Sequence, residues 1–500
     1  VKRLFFLAGI GLFSAAAAPA RTVPLGREVH LRLPGPVHSV HVFRARDDAS
    51  RDLLICHLSE EPSPGRMMTL FRGRENGPDT AGVTFALHPD DILFDLTDLD
   101  GNGNAECVFL RADGIYRRSL SGPDEDASCL IRTPSAFTAS DPARIRRFPL
   151  ALDLDGDGLP EICVPESGRL AAYRLRDGNY ALAASFEIRP AWRIQESGRT
   201  RVTLDFPAYR LLDFDGDGKL DLLAVFDDRV DVFFLRDFPD APADPPASPD
   251  LRIDLGVHRM PLTGLETLAP VSSRIEALDL NGDGVADFIV ALAARAGFVG
   301  SLSQIHIHLN RRGRISPLPD RVLTADNFLG EYLAADFNGN GLTDLALFNF
   351  RPGYGAAARF ILTRRLSHTH DFYLMRPDGS YPGKPDFRWT ATRKPRVSDP
   401  GSAIFAACYA ADFDGDGLTD LLTPEDENHW RVFPGNSAGN FDKSRKITVN
   451  APPTRSLLIA DLDGDGAADV LFFYPGDPER NRQVRILLGT PSPGLKAETQ

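Results

Sequence analysis

The sequence predicts an all-β chain folded as a β-propeller of four-stranded blades. Three observations carry that expectation. A nine-residue acidic phrase recurs seven times, starting at Asp98, Asp153, Asp213, Asp279, Asp336, Asp412 and Asp461. Apolar runs of strand length flank each copy, which is the pattern of short buried strands. Gly and Pro number 43 and 39 in 500 residues, as suits many strands joined by turns. A fixed phrase repeated at intervals of 49 to 76 residues marks one structural unit per copy.

The strands of a unit follow in a regular order. One run precedes the phrase, as at 209–212 and 456–460, and a second follows it, as at 221–226 and 344–349. A third lies beyond a turn, at 230–235, 304–309, 430–433 and 484–488, and a weaker fourth completes the set, at 182–188 and 446–450. Four strands make one blade. Upstream, residues 44–52 keep the final acid, Asp52, but lack both glycines and the first acid. They read as a degenerate eighth repeat whose loop binds metal poorly. Too few strands follow Asp461 to complete its blade, so residues 27–33 are expected to supply the missing one and remove an exposed edge. Eight blades result, with seven as the alternative. Two units are long. One carries 237–249, read as a solvated loop, and another carries 367–402, read as an aromatic and basic insertion. Long loops are often functional, so Tyr373, Tyr381, Trp389 and Arg393 are candidate ligand-binding residues.

The phrase itself is a set of oxygen ligands. Positions 1, 3 and 5 are Asp98, Asp100 and Asn102; Asp153, Asp155 and Asp157; Asp213, Asp215 and Asp217; Asp279, Asn281 and Asp283; Asp336, Asn338 and Asn340; Asp412, Asp414 and Asp416; Asp461, Asp463 and Asp465. Position 7 varies freely, through Asn104, Leu159, Lys219, Val285, Leu342, Leu418 and Ala467, as expected if only its backbone carbonyl is used. Position 9 closes the cage with Glu106, Glu161, Asp221, Asp287, Asp344, Asp420 and Asp469. Glycine at positions 4 and 6 permits a left-handed turn. Five or six oxygens suit Ca2+ better than Mg2+, which sheds its waters reluctantly. About seven calcium ions are expected, in a structural role, with the Asp336 loop weakest because Asp336 and Asp344 are its only carboxylates. Affinities of about 10^-4 to 10^-3 M are typical of extracellular calcium modules. An EF-hand is excluded, since its twelfth position is a bidentate Glu and here that position holds Phe109, Val164, Ala224, Val290, Leu347, Thr423 and Phe472.

The remaining composition fits export. Lys2 and Arg3, an apolar run from Leu4 to Phe13 and small residues up to Ala20 read as a secretory signal peptide over residues 1–20. Val1 at the start reads as a bacterial GTG codon. The propeller is then expected over 21–490 and a tail over 491–500, in a periplasmic or extracellular protein. No later run is long enough to span a membrane. Net charge is -13, and the seven loops hold 24 carboxylates, so the acidity is local. It argues against nucleic acid, which needs a basic footprint. Five cysteines are too few for a disulfide scaffold, and Cys56, Cys107 and Cys163 read as small buried hydrophobes.

With its seven Asp-x-Asp/Asn-Gly-Asp/Asn-Gly-x-x-Asp/Glu phrases, the chain resembles the VCBS/FG-GAP repeat proteins, the calcium-loop propellers that include the integrin α-subunit head. The resemblance covers most of 21–490 and implies a propeller with calcium in its blade loops. The Phe-Gly and Gly-Ala-Pro signatures of the integrin-like branch are not visible, so the bacterial VCBS-type branch is the closer match and integrin-style ligand binding is not implied.

Two functions compete. A non-catalytic module binding a glycan or an extracellular or envelope protein, expected to be a monomer, is favoured. The alternative is a polysaccharide lyase, because some rhamnogalacturonan lyases are calcium-rich eight-bladed propellers. No diagnostic catalytic set supports the enzyme. Gly435-Asn-Ser-Ala-Gly439 matches Gly-x-Ser-x-Gly in form, but a nucleophile elbow needs a following helix. The pairs His306/His308 and His368/His370 would each share one strand face and could bind a transition metal, but no third ligand is evident, and both read as ordinary strand residues.

Overall fold

The computed structural model describes residue 25 and residues 27–491, other than 47–48, 60–64, 123–125, 136, 139–140, 142, 197–199, 237, 239–244, 256–271, 297–299, 327–330, 351–353, 395–407, 453 and 455. The expected signal peptide, the tail beyond residue 491 and much of 237–249 lie outside the described residues.

Among the described residues, eight blades follow one another along the chain, seven of them four-stranded antiparallel sheets and one, blade 2, extended by the short strand Arg146–Arg147, which pairs parallel with Leu93–Thr97. Their strands span 37–86 in blade 1, 93–132 in blade 2, 151–187 in blade 3 and 208–253 in blade 4. Those of blades 5 to 7 span 272–325, 332–393 and 409–450. Blade 8 takes three strands from 457–487 and its fourth from the N-terminal strand Glu28–Arg32, which pairs antiparallel with Gln483–Leu487. The expected closure is therefore present, and the first and last described strands share one sheet.

Packing between blades shows the ring. Among the described residues, eight buried apolar clusters each join two neighbouring blades. They pair blade 1 with 2, 2 with 3, 3 with 4, 4 with 5, 5 with 6, 6 with 7, 7 with 8 and 8 with 1. The second strand of each blade is covered on both faces, as in Asp221–Val225, Asp420–Pro424 and Asp469–Phe473, where every residue is buried. Such strands read as continuous apolar runs because neither face meets water. Outer strands such as Phe387–Arg393 alternate between buried and exposed, with one face inward. Full burial of each large apolar side chain contributes about 1.5–3 kcal/mol, so these interfaces supply much of the stability.

Three features depart from the sequence reading. Residues 367–402 are not an insertion: Leu366–Tyr373 and Phe387–Arg393 are the third and fourth strands of blade 6, and 395–402 lie outside the described residues. The extra length described in that blade includes the helix Tyr354–Thr363, between its second and third strands. Between blades 3 and 4, Ala191–Glu196 and Thr200–Asp205 form a separate two-stranded hairpin. Among the described residues, no helix is long and apolar enough to cross a membrane.

Candidate cation loops

Each acidic phrase joins the first and second strands of a blade, and its ninth residue opens the second strand, as Asp420 opens Asp420–Pro424. That placement buries the acid. Glu106 is 7% exposed, and the other six position-9 acids are at most 1% exposed. In all seven loops one oxygen of this acid accepts the backbone N–H of position 2, at 2.6–3.1 Å. In four loops the other oxygen accepts an N–H just past the third strand: Asn310 to Asp287, Met375 to Asp344, Gly435 to Asp420 and Gly489 to Asp469, at 2.7–2.8 Å. The acid thus ties three strands at one end of the blade.

The rest of the loop folds around the same point. The position-1 Asp accepts the position-6 Gly N–H in every copy, at 2.7–3.1 Å. Position 5 accepts the N–H of position 7, at 2.8–3.0 Å. Both turns need the left-handed backbone of glycine, as at Gly415 and Gly417 with φ of 66° and 83°. Position 2 is a buried plug: Leu99, Leu154, Phe214, Leu280, Phe337, Phe413 and Leu462 each sit in the apolar cluster shared with the next blade.

The loops also bond to one another. The position-8 N–H reaches a carbonyl at position 1 or 2 of the preceding blade's loop, from Ala286 to Asp213, Thr343 to Leu280 and Ala468 to Asp412, at 2.7–2.9 Å. The degenerate loop takes part on both sides. Ala105 donates to Ala45 at 2.9 Å, and Arg51 donates to Leu462 at 2.8 Å, across the seam where the ring closes.

This geometry concentrates negative charge. Ligand oxygens of positions 1, 3 and 9 lie within 4.8 Å of one another in the loops Asp98/Asp100/Glu106, Asp153/Asp155/Glu161, Asp213/Asp215/Asp221 and Asp412/Asp414/Asp420. In the loops at Asp279 and Asp336, Asn281 and Asn338 take the place of the third carboxylate. Asp414 is 1% exposed, neither of its oxygens has a hydrogen-bond partner, and its nearest cation is Arg445 at 3.9 Å. Oδ1 of Asp463 is likewise buried without a hydrogen bond. Burying an ionised carboxylate without a partner is costly, and the group takes up a proton unless a cation is near.

The acids respond accordingly. Burial, reinforced by neighbouring carboxylates and opposed by backbone N–H groups, pushes Asp420 and Asp469 up to about 8. The same causes raise Glu161 and Asp287 to about 7 and Asp221 and Asp344 to about 6, while burial and the neighbouring carboxylates raise Asp414 and Asp463 to about 6. Arginines temper some loops. Arg174 lies 2.7 Å from Asp155 and 2.6 Å from Asp157, and Arg236 pairs with Asp215.

The degenerate loop solves the same problem differently. Asp52 is 1% exposed and opens the second strand of blade 1, as the position-9 acids do. Its carboxylate meets Arg72 at 2.8 Å, Arg46 at 3.4 Å and the Gly73 N–H at 2.6 Å. Here guanidinium groups neutralise the acid.

The four residues expected to bind a ligand are interior. Tyr373, Tyr381, Trp389 and Arg393 are 6%, 3%, 3% and 5% exposed. Tyr373 and Tyr381 pack in the core between blades 5 and 6, and the Tyr381 hydroxyl donates to the Thr343 carbonyl at 2.5 Å. Trp389 is covered edge-to-face by Phe433 and Phe441 and by Lys443, 4.5 Å from the ring centre. Tyr373, Tyr381 and Arg393 face inward and offer no open face to a ligand, whereas Trp389, although largely covered, borders the groove lined by Arg388, Asn436 and Lys443. Residues 435–439 form a turn between the strands His429–Phe433 and Ile447–Asn450, with no following helix, so no nucleophile elbow exists there. His306 bonds to Gln304 and His308 to the Ser316 carbonyl, as strand residues do. All five cysteines are unpaired, and only Cys129 is exposed.

Residues 412–472, from the Asp412 loop into the second strand of blade 8, match the model of the FG-GAP-like repeat. No curated protein matches the chain. Solved structures with a similar course of chain include an Agrocybe aegerita lectin described as recognising non-reducing terminal N-acetylglucosamine. It is 16% identical, with a TM-score of 0.41, and the match covers 84% of this chain and 94% of that one. Another is the Vibrio cholerae biofilm matrix protein Bap1, 11% identical with a TM-score of 0.29, covering 93% and 88%. A third is a putative 6-phosphogluconolactonase of Bacteroides uniformis, 14% identical with a TM-score of 0.35, covering 81% and 98%. The chain is an eight-bladed β-propeller, and its residues 412–472 match the FG-GAP-like repeat.

Proposed function

We propose that the protein is an exported, calcium-stabilised propeller that binds a glycan or another protein and has no catalytic role. The observation that carries the calcium reading is Asp414, a fully buried carboxylate with no hydrogen bond, facing Asp412 and Asp420. An all-oxygen donor set of this kind fits a hard cation, and its size and flexibility favour Ca2+. Positions 1, 3, 5 and 9 of each loop would hold the ion. Its charge would replace the protons that the buried acids otherwise keep. Thermal unfolding with and without calcium tests this reading.

The binding surface is best sought in the groove between blades 6 and 7, which Trp389 borders. Arg388, Asn436, Asn440, Lys443 and Arg445 line it, and their donors suit hydroxyl and carboxylate groups of an acidic glycan. Loss of glycan-array binding in Lys443→Ala and Asn436→Ala supports the module, whereas unchanged binding removes the groove from consideration. Absorbance of unsaturated products from acidic polysaccharides would instead establish the lyase.

A further inference from the structure

We infer that His368, His370 and Cys408 form a second kind of metal site, for a thiophilic d10 ion, Zn2+ or Cu+, distinct from the acidic loops. His368 and His370 lie two apart on the third strand of blade 6, and Cys408 directly precedes the first strand of blade 7. The Cys408 Sγ is 3.1 Å from His370 Nε2 and 3.9 Å from His368 Nε2. All three donor atoms lie within 4.8 Å of one another. A tetrahedral ion with metal–nitrogen bonds of about 2.0–2.1 Å and a metal–sulfur bond of about 2.3 Å sets N and S about 3.6 Å apart. The two observed separations bracket that value.

Burial makes the cluster selective. The three residues are 6%, 3% and 2% exposed, and Phe348 covers both imidazoles, with ring centres 5.2 and 5.5 Å away. Hydrogen bonding alone leaves the cluster poorly satisfied. One S–H serves two imidazoles, and His370 Nδ1 has no partner. Nitrogen and sulfur donors suit Zn2+ or Cu+ and reject Ca2+, which takes oxygen. On binding, the S–H bond is exchanged for a metal–sulfur bond, and the thiol proton leaves to solvent. The ion would pin blade 6 to blade 7 where Cys408 already joins their shared core.

The test holds the full chain in excess Ca2+, so that the oxygen loops are not in competition. Zn2+, and Cu+ under anaerobic reducing conditions, are each titrated against a chromophoric chelator, and Co2+ serves as an optical probe. One equivalent of Zn2+ or Cu+ is expected, with a sulfur-to-cobalt absorption band. Cys408→Ser should weaken binding at least about a hundredfold, leave the calcium-dependent melting unchanged and abolish the band. Substitution of the exposed Cys129→Ser should leave the binding, the calcium-dependent melting and the band unchanged. No binding of either ion by the wild type, or equal binding by Cys408→Ser, would reduce the cluster to a thiol–imidazole hydrogen bond and overturn the inference. Should Cys408→Ser fail to fold, the wild-type cobalt spectrum decides, since absence of the band also overturns it.

Discussion

The degenerate loop of blade 1 and the Asp412 loop of blade 7 place the same group in the same position and surround it differently. Asp52 and Asp420 each open the second strand of a blade, each is at most 1% exposed, and each accepts a backbone N–H just past the third strand, from Gly73 and Gly435. Asp52 is paired with Arg72 and Arg46. Asp420 instead faces Asp412 and Asp414, and burial raises it to about 8. The buried acid thus recurs at the same place in the blade, while its counter-charge is a side chain in one loop and, in the proposed reading, an ion in the other. Losing the glycines and the first acid did not free position 9 to change, because its carboxylate still caps backbone N–H groups.

The largest single-residue effect is expected where the counter-charge is covalent. Arg72→Met leaves Asp52 with Arg46 at 3.4 Å, and breaking a buried pair costs about 3 kcal/mol or more. Chemical denaturation should show that loss equally with and without calcium. A loss that calcium repairs would mean that the degenerate loop also takes the ion.

Asp420→Asn should behave in the opposite way. At calcium about a hundredfold above Kd, removing one site costs about 2.7 kcal/mol. With chelator at pH 8 the variant should be at least as stable as wild type, because a buried acid raised to about 8 is gone. Destabilisation of the same size in both conditions would assign Asp420 a hydrogen-bonding role alone.

The pH dependence sharpens the same contrast. Acids raised in the folded state favour folding below their unfolded pKa, near 3.9 for Asp, and lose that contribution as pH rises through the folded values. For Asp221, Asp287, Asp420 and Asp469 those values run from about 6 to about 8. Cation-free protein should therefore lose stability from about pH 4 to about pH 8. Calcium needs the ionised acids, so the gap in Tm between loaded and chelated protein should widen over the same range. A gap independent of pH would separate the ion from these carboxylates.

The smallest effect belongs to the loop with two asparagines. Asp344→Asn should remove less calcium-dependent stability than Asp420→Asn, since only Asp336 and Asp344 carry charge there. An equal loss would show that amide oxygens serve as well as carboxylates.

Local features of the molecule were legible in the sequence. Seven loops, the degenerate eighth and the closing strand could be read because each is a contiguous pattern, and the structure sets Glu28–Arg32 against the last blade as expected. Features that depend on contact across the chain were not. Arg72 lies 20 residues from Asp52, and nothing local marks it as a counter-charge. Cys408 lies 38 residues from His370, so the pair at 368 and 370 lacked a visible third ligand. Trp389 and Tyr381 looked like surface aromatics because the strand Phe387–Arg393 sits in a polar, proline-containing stretch. Its alternating burial hides Trp389 and Arg393 while exposing Arg388.

The central claim, that these carboxylate loops are calcium sites holding the ring together, is tested most directly by thermal unfolding of the whole chain in chelator, in calcium and in equimolar magnesium. Seven independent sites at a hundredfold excess over Kd predict that calcium raises Tm by on the order of 10–20 °C above chelator, with magnesium giving much less. Identical melting curves in all three conditions would contradict it.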